Sequence, residues 1–367
     1  MSAEGELKKL RAQIDSIDDR VRALIVERAQ CAHRVADVKR IADGEATVFY
    51  RPEREAQVLR RMLEADNAPL SGEAVARVFR EIMSACLALE QLLQVAYLGP
   101  EGTFTQQAAL KHFGHGAQTV PLAAIDDVFR EVEAGAVNYG VVPVENSTEG
   151  MITHTLDSFM RFGLRICGEV ELRIHHHLLL GENNKRENIT RVYSHQQSLA
   201  QCRQWLDTHL PNVERIAVSS NAEAARRIRG EWHSAAIAGE TAAELYGLIR
   251  IAESIEDNPS NTTRFLVIGR DSVGRSGDDK TSILVSTRDK PGALFKLLEP
   301  FYQAGISLTR IETRPSKLSS TDANWSYVFF IDFEGHQSDT KVQQALKALA
   351  DEALEVRILG SYPKAVL

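Results

Sequence analysis

The stretch ELKKLRAQIDSIDDRVRALIVERAQCAHRVADVK, residues 6–39, has the period of one long amphipathic helix. Its apolar positions alternate spacings of three and four residues, as on one face of a helix. Arg28 stands on this face where an apolar residue is expected, and Lys39 projects from nearly the same side, about three turns further on. Burying an unpaired cation is costly. Either an internal carboxylate or a bound anion would offset that cost, and the neighbouring charged residues favour an anion site.

A helix of about 35 residues is roughly 50 Å long, which exceeds the width of a compact domain built from one helical segment. We therefore expect this helix to pack against a copy of itself in a homodimer or a higher homo-oligomer. Arg11 and Arg28 lie far enough apart to point in different directions. One helix can thus contribute to two sites across the dimer.

The composition limits the class of protein. A chain of 367 residues is long enough for two or three domains. Its net charge of -7 argues against nucleic-acid and anionic-membrane partners, so a small acid is the expected ligand of the cations. The polar N-terminus and the absence of a long apolar run predict a soluble cytoplasmic protein. The four cysteines form no C-x-x-C pair, which indicates reduced thiols.

The hydrophobic period changes twice along the chain. Residues 1–93 read as an all-α domain of three helices, with the second helix over about 52–64 and the third over 72–93. Residues 94–270 alternate short β-rich runs with helices and predict an α/β domain with an open sheet. Residues 270–280 read as a linker. Residues 281–367 follow a βαββαβ order and predict an α+β domain.

The helical segment resembles the all-helical chorismate mutases through Arg11, V-E-R ending at Arg28, V-K ending at Lys39, R-P-E-R-E at 51–55 and A-L-E-Q around Glu90. The resemblance implies rearrangement of chorismate to prephenate without a covalent intermediate or cofactor, so electrostatic preorganisation carries the catalysis. It also implies roles for individual residues. Arg28 and a partner chain's Arg11 hold carboxylates, Lys39 and Glu90 donate to the ether oxygen, Glu55 holds the ring hydroxyl, and Arg51, Arg54 and Cys86 line the site.

Glu90 departs from the family pattern, in which Gln is familiar at this position. A carboxyl group can donate a hydrogen bond only when it is protonated. The sequence therefore predicts a mutase reaction that slows as the pH rises. Arg51 and Cys86 also replace familiar Asp and Ser residues, so the contacts made by these two side chains differ from those of the family.

Residues from about 95 to 270 resemble prephenate dehydratase. Four stretches carry the resemblance in the family's order: YLGPEGTFT at 97–105, VPVENSTEG at 142–150, YSHQQS at 193–198 and NTTRF at 261–265. The resemblance implies a two-lobed α/β domain and the decarboxylating dehydration of prephenate to phenylpyruvate. Thr263 is the implied donor to the leaving hydroxyl, with Arg264 beside it. The implied walls of the site are Asn146, Ser147, Ser194, His195 and Gln196.

The last segment resembles an ACT domain through RDKPGAL at 288–294 and ETRP at 312–315. The resemblance implies a site for L-phenylalanine as a feedback inhibitor. Backbone N–H groups at a helix start suit its carboxylate. An ordinary strand-to-helix connection would explain the same turn without a ligand. The implied binding residues are Gly292, Ala293, Leu294, Glu312, Thr313 and Arg314.

Two other readings compete with a bifunctional enzyme. A mutase fused to a dehydrogenase is disfavoured because no G-x-G-x-x-G follows a strand. A non-catalytic sensor of aromatic or amino acids built from the same modules is disfavoured by the joint presence of Lys39, Glu90 and Thr263. His175, His176 and His177 suggest a metal site, but they lie in a strand-like run without ligand spacing, so we predict structural roles and no metal.

Overall fold

The computed structural model describes residues 3–44, 48–182, 184–287, 291–315 and 327–367. It contains three consecutive domains, in agreement with the predicted order. Within the described residues no helix combines the length and the apolar character needed to cross a membrane.

The first domain consists of three helices. Helix α1 has no interior proline or glycine beyond its first turn, α2 starts with proline, and Ser71 caps α3 by accepting a hydrogen bond from Ala74 N at 3.1 Å. The third helix ends three residues earlier than predicted, because the chain leaves it to enter the first strand. The bounds are α1 Ala3–Asp43, α2 Pro52–Glu64 and α3 Gly72–Glu90.

The second domain has two lobes, as predicted. The sheet of the first lobe has the order β2-β1-β3-β11-β5, with β4 beside β3. Its elements are β1 Gln94–Leu98, α4 Phe104–Phe113, β2 Gln118–Leu122, α5 Ile125–Glu133, β3 Tyr139–Asn146, β4 Gly150–Met151, α6 Thr153–Arg161, β5 Arg165–Arg173 and β11 Thr262–Gly269.

The sheet of the second lobe has the order β10-β6-β9-β7-β8. The chain enters this lobe after β5 and returns through residues 253–261 to β11, so two adjacent crossings join the lobes. Five short strands of the second domain were not predicted from the hydrophobic pattern: β2, β4, β6, β8 and β10. The elements are β6 His177–Leu180, β7 Arg191–His195, α7 Gln196–Gln201, α8 Arg203–His209, β8 Glu214–Val218, α9 Asn221–Ile228, β9 Ser234–Ala238, α10 Glu240–Tyr246 and β10 Ile249–Ala252.

The third domain has the predicted βαββαβ order and a sheet ordered β13-β14-β12-β15. One face of this sheet packs on its own two helices. The other face, through Leu284, Val328, Phe330, Leu359 and Tyr362, joins the core of the first lobe. The elements are β12 Asp279–Thr287, α11 Ala293–Gln303, β13 Leu308–Pro315, β14 Tyr327–Glu334, α12 Thr340–Glu352 and β15 Glu355–Pro363.

The predicted linker is a fixed connection. Arg60 of α2 donates to the Ser276 backbone oxygen at 3.3 Å, to its hydroxyl at 3.0 Å and to the Asp278 backbone oxygen at 2.7 Å. Asp279, which starts β12, accepts from Ser276 Oγ at 2.5 Å. The glycine and serine residues of 270–280 predicted a flexible linker. Hydrogen bonds from Arg60 of the first domain fix the backbone of this segment instead.

Candidate functional site

Cations from α1 gather around the end of α3. The charges of Lys39, Arg40 and Arg28 act on the Glu90 carboxyl group. Arg40 donates to the Glu90 backbone oxygen at 2.9 Å, and Lys39 Nζ donates to the Phe49 backbone oxygen at 3.3 Å. We call Arg28, Lys39 and Glu90 the bundle cluster. The structure therefore brings together three of the residues that the sequence assigned to one anion site.

The sequence left two partners open for Arg28, an internal carboxylate or a bound anion. Its side chain is half-buried, and no carboxylate lies within ion-pair distance of it among the described residues. An internal acid does not neutralise its charge, so the guanidinium can bind an anion.

Burial raises the pKa of Glu90, and the nearby cations Lys39 and Arg40 oppose this shift only partly. The carboxyl group consequently keeps its proton to a higher pH than an exposed glutamate. A protonated carboxyl group beside two cations can donate a hydrogen bond to a developing oxyanion.

Other predicted members of this site lie elsewhere. Arg11 is exposed and about 26 Å along α1 from Arg28, so it cannot reach the bundle cluster of its own chain. The side chains of Arg51 and Arg54 are exposed, and Cys86 is buried in α3.

Glu55 was predicted to hold a ring hydroxyl, but its carboxylate pairs with Arg80 Nε at 3.3 Å. Burial raises the pKa of Glu55 and Arg80 lowers it, with no charge of the bundle cluster acting on it. The guanidinium of Arg80 also donates to backbone oxygens of Lys111 and His112 in the second domain. The face of α2 that carries Glu55 therefore forms a domain junction, which the helical period alone does not reveal.

A second polar cluster lies between the two lobes of the α/β domain. Thr263 of β11 pairs in register with Asn146 of β3. Asn146 Nδ2 donates to Thr263 Oγ1 at 2.8 Å and to Asn261 Oδ1 at 2.9 Å. Asn146 Oδ1 accepts from the backbone N–H groups of Thr148 at 2.9 Å and Glu149 at 3.0 Å. We call Asn146, Asn261 and Thr263 the cleft cluster.

These bonds orient the Thr263 hydroxyl group. Its oxygen accepts from Asn146, and its proton has no acceptor within the described part of the chain. A hydroxyl with its oxygen occupied can donate its proton to a ligand in the cleft. The cleft cluster thus presents a single, oriented O–H donor.

Asn261, which sequence reasoning did not assign to the site, connects the cleft cluster to the second lobe. Its Nδ2 donates to Gln201 Oε1 at 3.3 Å, and His176 Nε2 lies 2.9 Å from the same oxygen. Burial lowers the pKa of His176, so the ring stays neutral. The sequence signal that could have identified Asn261 is its spacing from Thr263, because residues two apart in an extended strand point to the same face.

The other histidines of the triplet are also hydrogen-bonded. His175 Nδ1 lies 2.8 Å from Glu256 Oε1, and His177 Nδ1 accepts from Ser254 N at 3.2 Å. These contacts agree with the structural roles predicted for the triplet. The triplet is not one strand, since β6 begins only at His177.

The predicted wall residues behave differently. Ser147 Oγ accepts from Thr262 N at 3.0 Å and ties the two strands together beside the cleft cluster. Ser194 is fully buried, and its hydroxyl donates to the Ile237 backbone oxygen at 2.7 Å. It therefore stabilises the interior of the second lobe instead of lining the cleft. His195 caps α7 by accepting from Gln197 N at 3.3 Å, and Gln196 is exposed.

Arg264 does not face the cleft, although it is adjacent to Thr263. Its Nε lies 2.8 Å from Glu169 Oε2, one terminal nitrogen lies 2.8 Å from Asp332 Oδ2, and the other donates to Tyr362 Oη at 3.0 Å. Successive side chains of a strand point to opposite faces. The Arg264 side chain therefore lies on the face opposite Thr263, away from the substrate contact that the sequence predicted for it.

The motif RDKPGAL at 288–294, from which an amino-acid site was predicted in the third domain, lies partly outside the described residues, which exclude 288–290. Gly292 adopts a φ of +80° immediately before α11, where Ala293 and Leu294 begin the helix and Leu294 is exposed. Thr313 of β13 is exposed. Glu312 and Arg314 turn to the opposite face, where Arg314 donates to Asp157 of the second domain at 2.8 Å. Arg314 thus serves a domain contact, contrary to its predicted place beside a ligand.

Three family models match the chain in the order of its domains. "Chorismate mutase type II" matches residues 10–91, "Prephenate dehydratase" matches 95–273 and "ACT domain" matches 281–351.

The similar proteins cover the whole of this chain or about three quarters of it. The "Bifunctional chorismate mutase/prephenate dehydratase" of Pseudomonas aeruginosa is 62% identical over 369 residues and covers 100% of both chains. The protein of the same name from Stutzerimonas stutzeri is 63% identical with the same coverage. A crystal structure of prephenate dehydratase from Arthrobacter aurescens in complex with L-Phe is 36% identical, has a TM-score of 0.68, and covers 74% of this chain and 90% of its own.

Proposed function

The chain belongs to the family of bifunctional chorismate mutase/prephenate dehydratases, and on this basis we propose how its described residues divide the two reactions between them. The enzyme converts chorismate to prephenate and prephenate to phenylpyruvate in L-phenylalanine biosynthesis. The bundle cluster carries out the first reaction, and the cleft cluster carries out the second. The observation that supports this division most directly is the oriented hydroxyl of Thr263 between the two lobes.

The first reaction is a Claisen rearrangement, which breaks the ether C–O bond as a new C–C bond forms. No nucleophile is required, so the protein lowers the barrier by holding a compact conformer and by stabilising charge on the ether oxygen. Arg28 binds a carboxylate, and Lys39 with protonated Glu90 donates to the ether oxygen. Glu55 takes no part, because its carboxylate is paired with Arg80.

The mutase rate of the wild-type chain is expected to fall as the pH rises through the raised pKa of Glu90. Deprotonation converts a donor beside the ether oxygen into an acceptor, so the active form is the protonated one. Glu90→Gln supplies an N–H donor at every pH and should flatten the profile between about pH 5 and about pH 9. The measurement is mutase kcat/KM against pH for both proteins. Identical profiles would contradict the role of Glu90.

The exposed apolar face of α1 supports a homodimer. Leu10, Ile14 and Leu24 are 52%, 56% and 63% exposed, which is unusual for regularly spaced residues on one helix face. Pairing two such helices buries these side chains and carries Arg11 of one chain toward the cluster of its partner. Ile17→Asp, which places a charge on this face, should produce monomers in analytical ultracentrifugation and lower the mutase rate. A monomeric wild-type enzyme with full mutase activity would exclude this arrangement.

The second reaction removes both a carboxylate and a hydroxyl from the ring of prephenate. The electron pair of the broken bond to carbon dioxide enters the ring, the C–O bond to the hydroxyl breaks, and the leaving hydroxide takes up a proton from solvent water to become water. Thr263 donates a hydrogen bond to that leaving oxygen, and Asn146 keeps the hydroxyl aimed into the cleft. Aromatisation supplies the driving force, so one oriented donor contributes without full proton transfer.

The ACT domain makes L-phenylalanine the regulator of the second reaction. A related dehydratase was crystallised with this amino acid. The turn before α11 and the exposed edge of β13 at Thr313 offer backbone and side-chain groups for it. Because regulation requires a difference in affinity between two states, the third domain must contact the catalytic lobe differently in each state.

A coupled assay with the full chain tests the whole proposal. Chorismate supplied alone should yield prephenate and then phenylpyruvate, and added phenylalanine should slow the second step more than the first. A chain that binds these acids without turnover would instead be a sensor built from the same modules.

A further inference from the structure

The reverse face of the catalytic strand pair meets the third domain. Thr263 of β11 pairs with Asn146 of β3, and the next cross-strand pair along these two strands is Arg264 with Glu145. We call each of these cross-strand pairs a rung. Since neighbouring side chains of a strand point to opposite faces, the first rung faces the cleft and the second faces the ACT sheet. The two rungs share one stretch of backbone, so neither can move far without the other.

The third domain holds the Arg264 end of the reverse rung. All three nitrogens of the Arg264 guanidinium are engaged, with Glu169 of the neighbouring strand and with Asp332 and Tyr362 of the ACT sheet. The side chain of Arg264 is 11% exposed and that of Glu169 is 2% exposed. A guanidinium with three fixed acceptors has one position relative to them.

The third domain also holds the Glu145 end. Arg310 of β13 lies 2.6 Å from Glu145 Oε2 and 3.6 Å from Asp332 Oδ2. Asp332 therefore stands between the two ends of the rung, through Arg264 on one side and Arg310 on the other. Ser282 completes the arrangement by donating to Asp332 Oδ1 at 2.6 Å.

Three cations and three carboxylates make up this network, so its charges balance. The ion pairs of Glu169 and Asp332 are buried, whereas the Glu145 side chain is 43% exposed. Buried ion pairs tolerate little distortion, because separating one partner leaves a charge without compensation. A shift of the ACT sheet would thus pull on the rung or break several contacts together. The members are Glu145, Glu169, Arg264, Lys280, Arg310 and Asp332.

We propose that Arg264 and Glu145 are positioning residues, through which the ACT domain sets the position of Thr263 and Asn146 and hence the dehydratase rate. The proposal rests on the function proposed above for Thr263. It assigns Arg264 to the transmission of phenylalanine inhibition and gives it no contact with substrate.

Two variants test the proposal in the full-length enzyme. Arg264→Lys keeps the positive charge but cannot reach Glu169, Asp332 and Tyr362 together. Tyr362→Phe removes one hydroxyl on the ACT side and leaves the packing of the ring in place. Arg165→Gln is the matched control, because Arg165 also joins the two domains, through the Ile358 backbone oxygen at 2.9 Å, but lies outside the network.

Three quantities are measured for each protein: dehydratase kcat and KM, the fraction of activity left at saturating phenylalanine, and the dissociation constant of phenylalanine by calorimetry. For Arg264→Lys we expect a roughly tenfold lower kcat, a KM within about twofold, unchanged phenylalanine binding and less than half of the normal inhibition. Tyr362→Phe should change in the same direction by a smaller factor. Arg165→Gln and the mutase rate of all variants should match the wild type.

Complete inhibition of both variants at saturating phenylalanine would overturn the proposal. It would also fail if inhibition were lost only because phenylalanine no longer binds, since the network would then merely support the ACT fold. A wild-type enzyme that binds phenylalanine without inhibition would contradict the proposed regulation together with this inference. An unchanged dehydratase rate in a Thr263 variant, by contrast, would contradict only the catalytic assignment on which the inference rests.

Discussion

Thr263→Ala is expected to lower phenylpyruvate formation from prephenate by about 10² to 10³-fold while mutase turnover stays at the wild-type rate. The variant removes the O–H donor that Asn146 holds in the cleft at 2.8 Å, so hydroxide would have to leave without help. The two reactions are assayed separately on the same preparation, with chorismate and with prephenate. The mutase rate then reports whether the chain has folded.

Two companion variants sharpen this result. Thr263→Ser keeps the hydroxyl and should retain most of the activity. Thr262→Ala alters the adjacent residue, whose hydroxyl donates to the Ser260 backbone oxygen at 3.3 Å, and should have little effect. Equal activity of Thr263→Ala and the wild type would remove Thr263 from the mechanism.

Lys39→Gln is expected to lower mutase kcat/KM by about 10² to 10³-fold, with normal conversion of prephenate. The ammonium group lies close enough to Glu90 to influence the pKa of its carboxyl group, so both can serve one ether oxygen. Removing one donor from a developing oxyanion has a cost of this size because the remaining groups cannot rearrange to replace it.

The matched control for Lys39 is Arg22→Gln on the same helix. Arg22 is exposed and lies 3.8 Å from Asp19, away from the bundle cluster. Its loss should leave both reactions unchanged. A mutase rate for Lys39→Gln within about threefold of the wild type would show that Lys39 does not stabilise the transition state.

The fold was largely predictable because each domain carries a strong local pattern. The three-and-four spacing predicted α1, and the next two helices start at residues 52 and 72, as the sequence predicted. The alternating strands and the βαββαβ order predicted the other domains. The missed strands β2, β4, β6, β8 and β10 are two to five residues long, and runs this short carry too few apolar positions to show a period.

The candidate sites were predictable only in part. The sequence grouped Arg28, Lys39 and Glu90, and the structure places them near one another, since two of them lie on one helix face and the third ends a neighbouring helix. Their role in one site stays a prediction. The sequence also put Asn146 and Thr263 in one site, from the order of the motifs. The sequence assigned Arg264 to the same site, but the alternation of side chains along β11 turns Arg264 away from the cleft.

Local periodicity, helix caps and motif order thus determined the three domains and the chemistry of their polar residues, because these depend on neighbours along the chain. Only the tertiary structure decided which partners those residues found. The pairing of Glu55 with Arg80, of Asn146 with Thr263 and of Arg264 with Asp332 joins segments remote in sequence. Such contacts follow from strand register and domain packing, which no local pattern specifies.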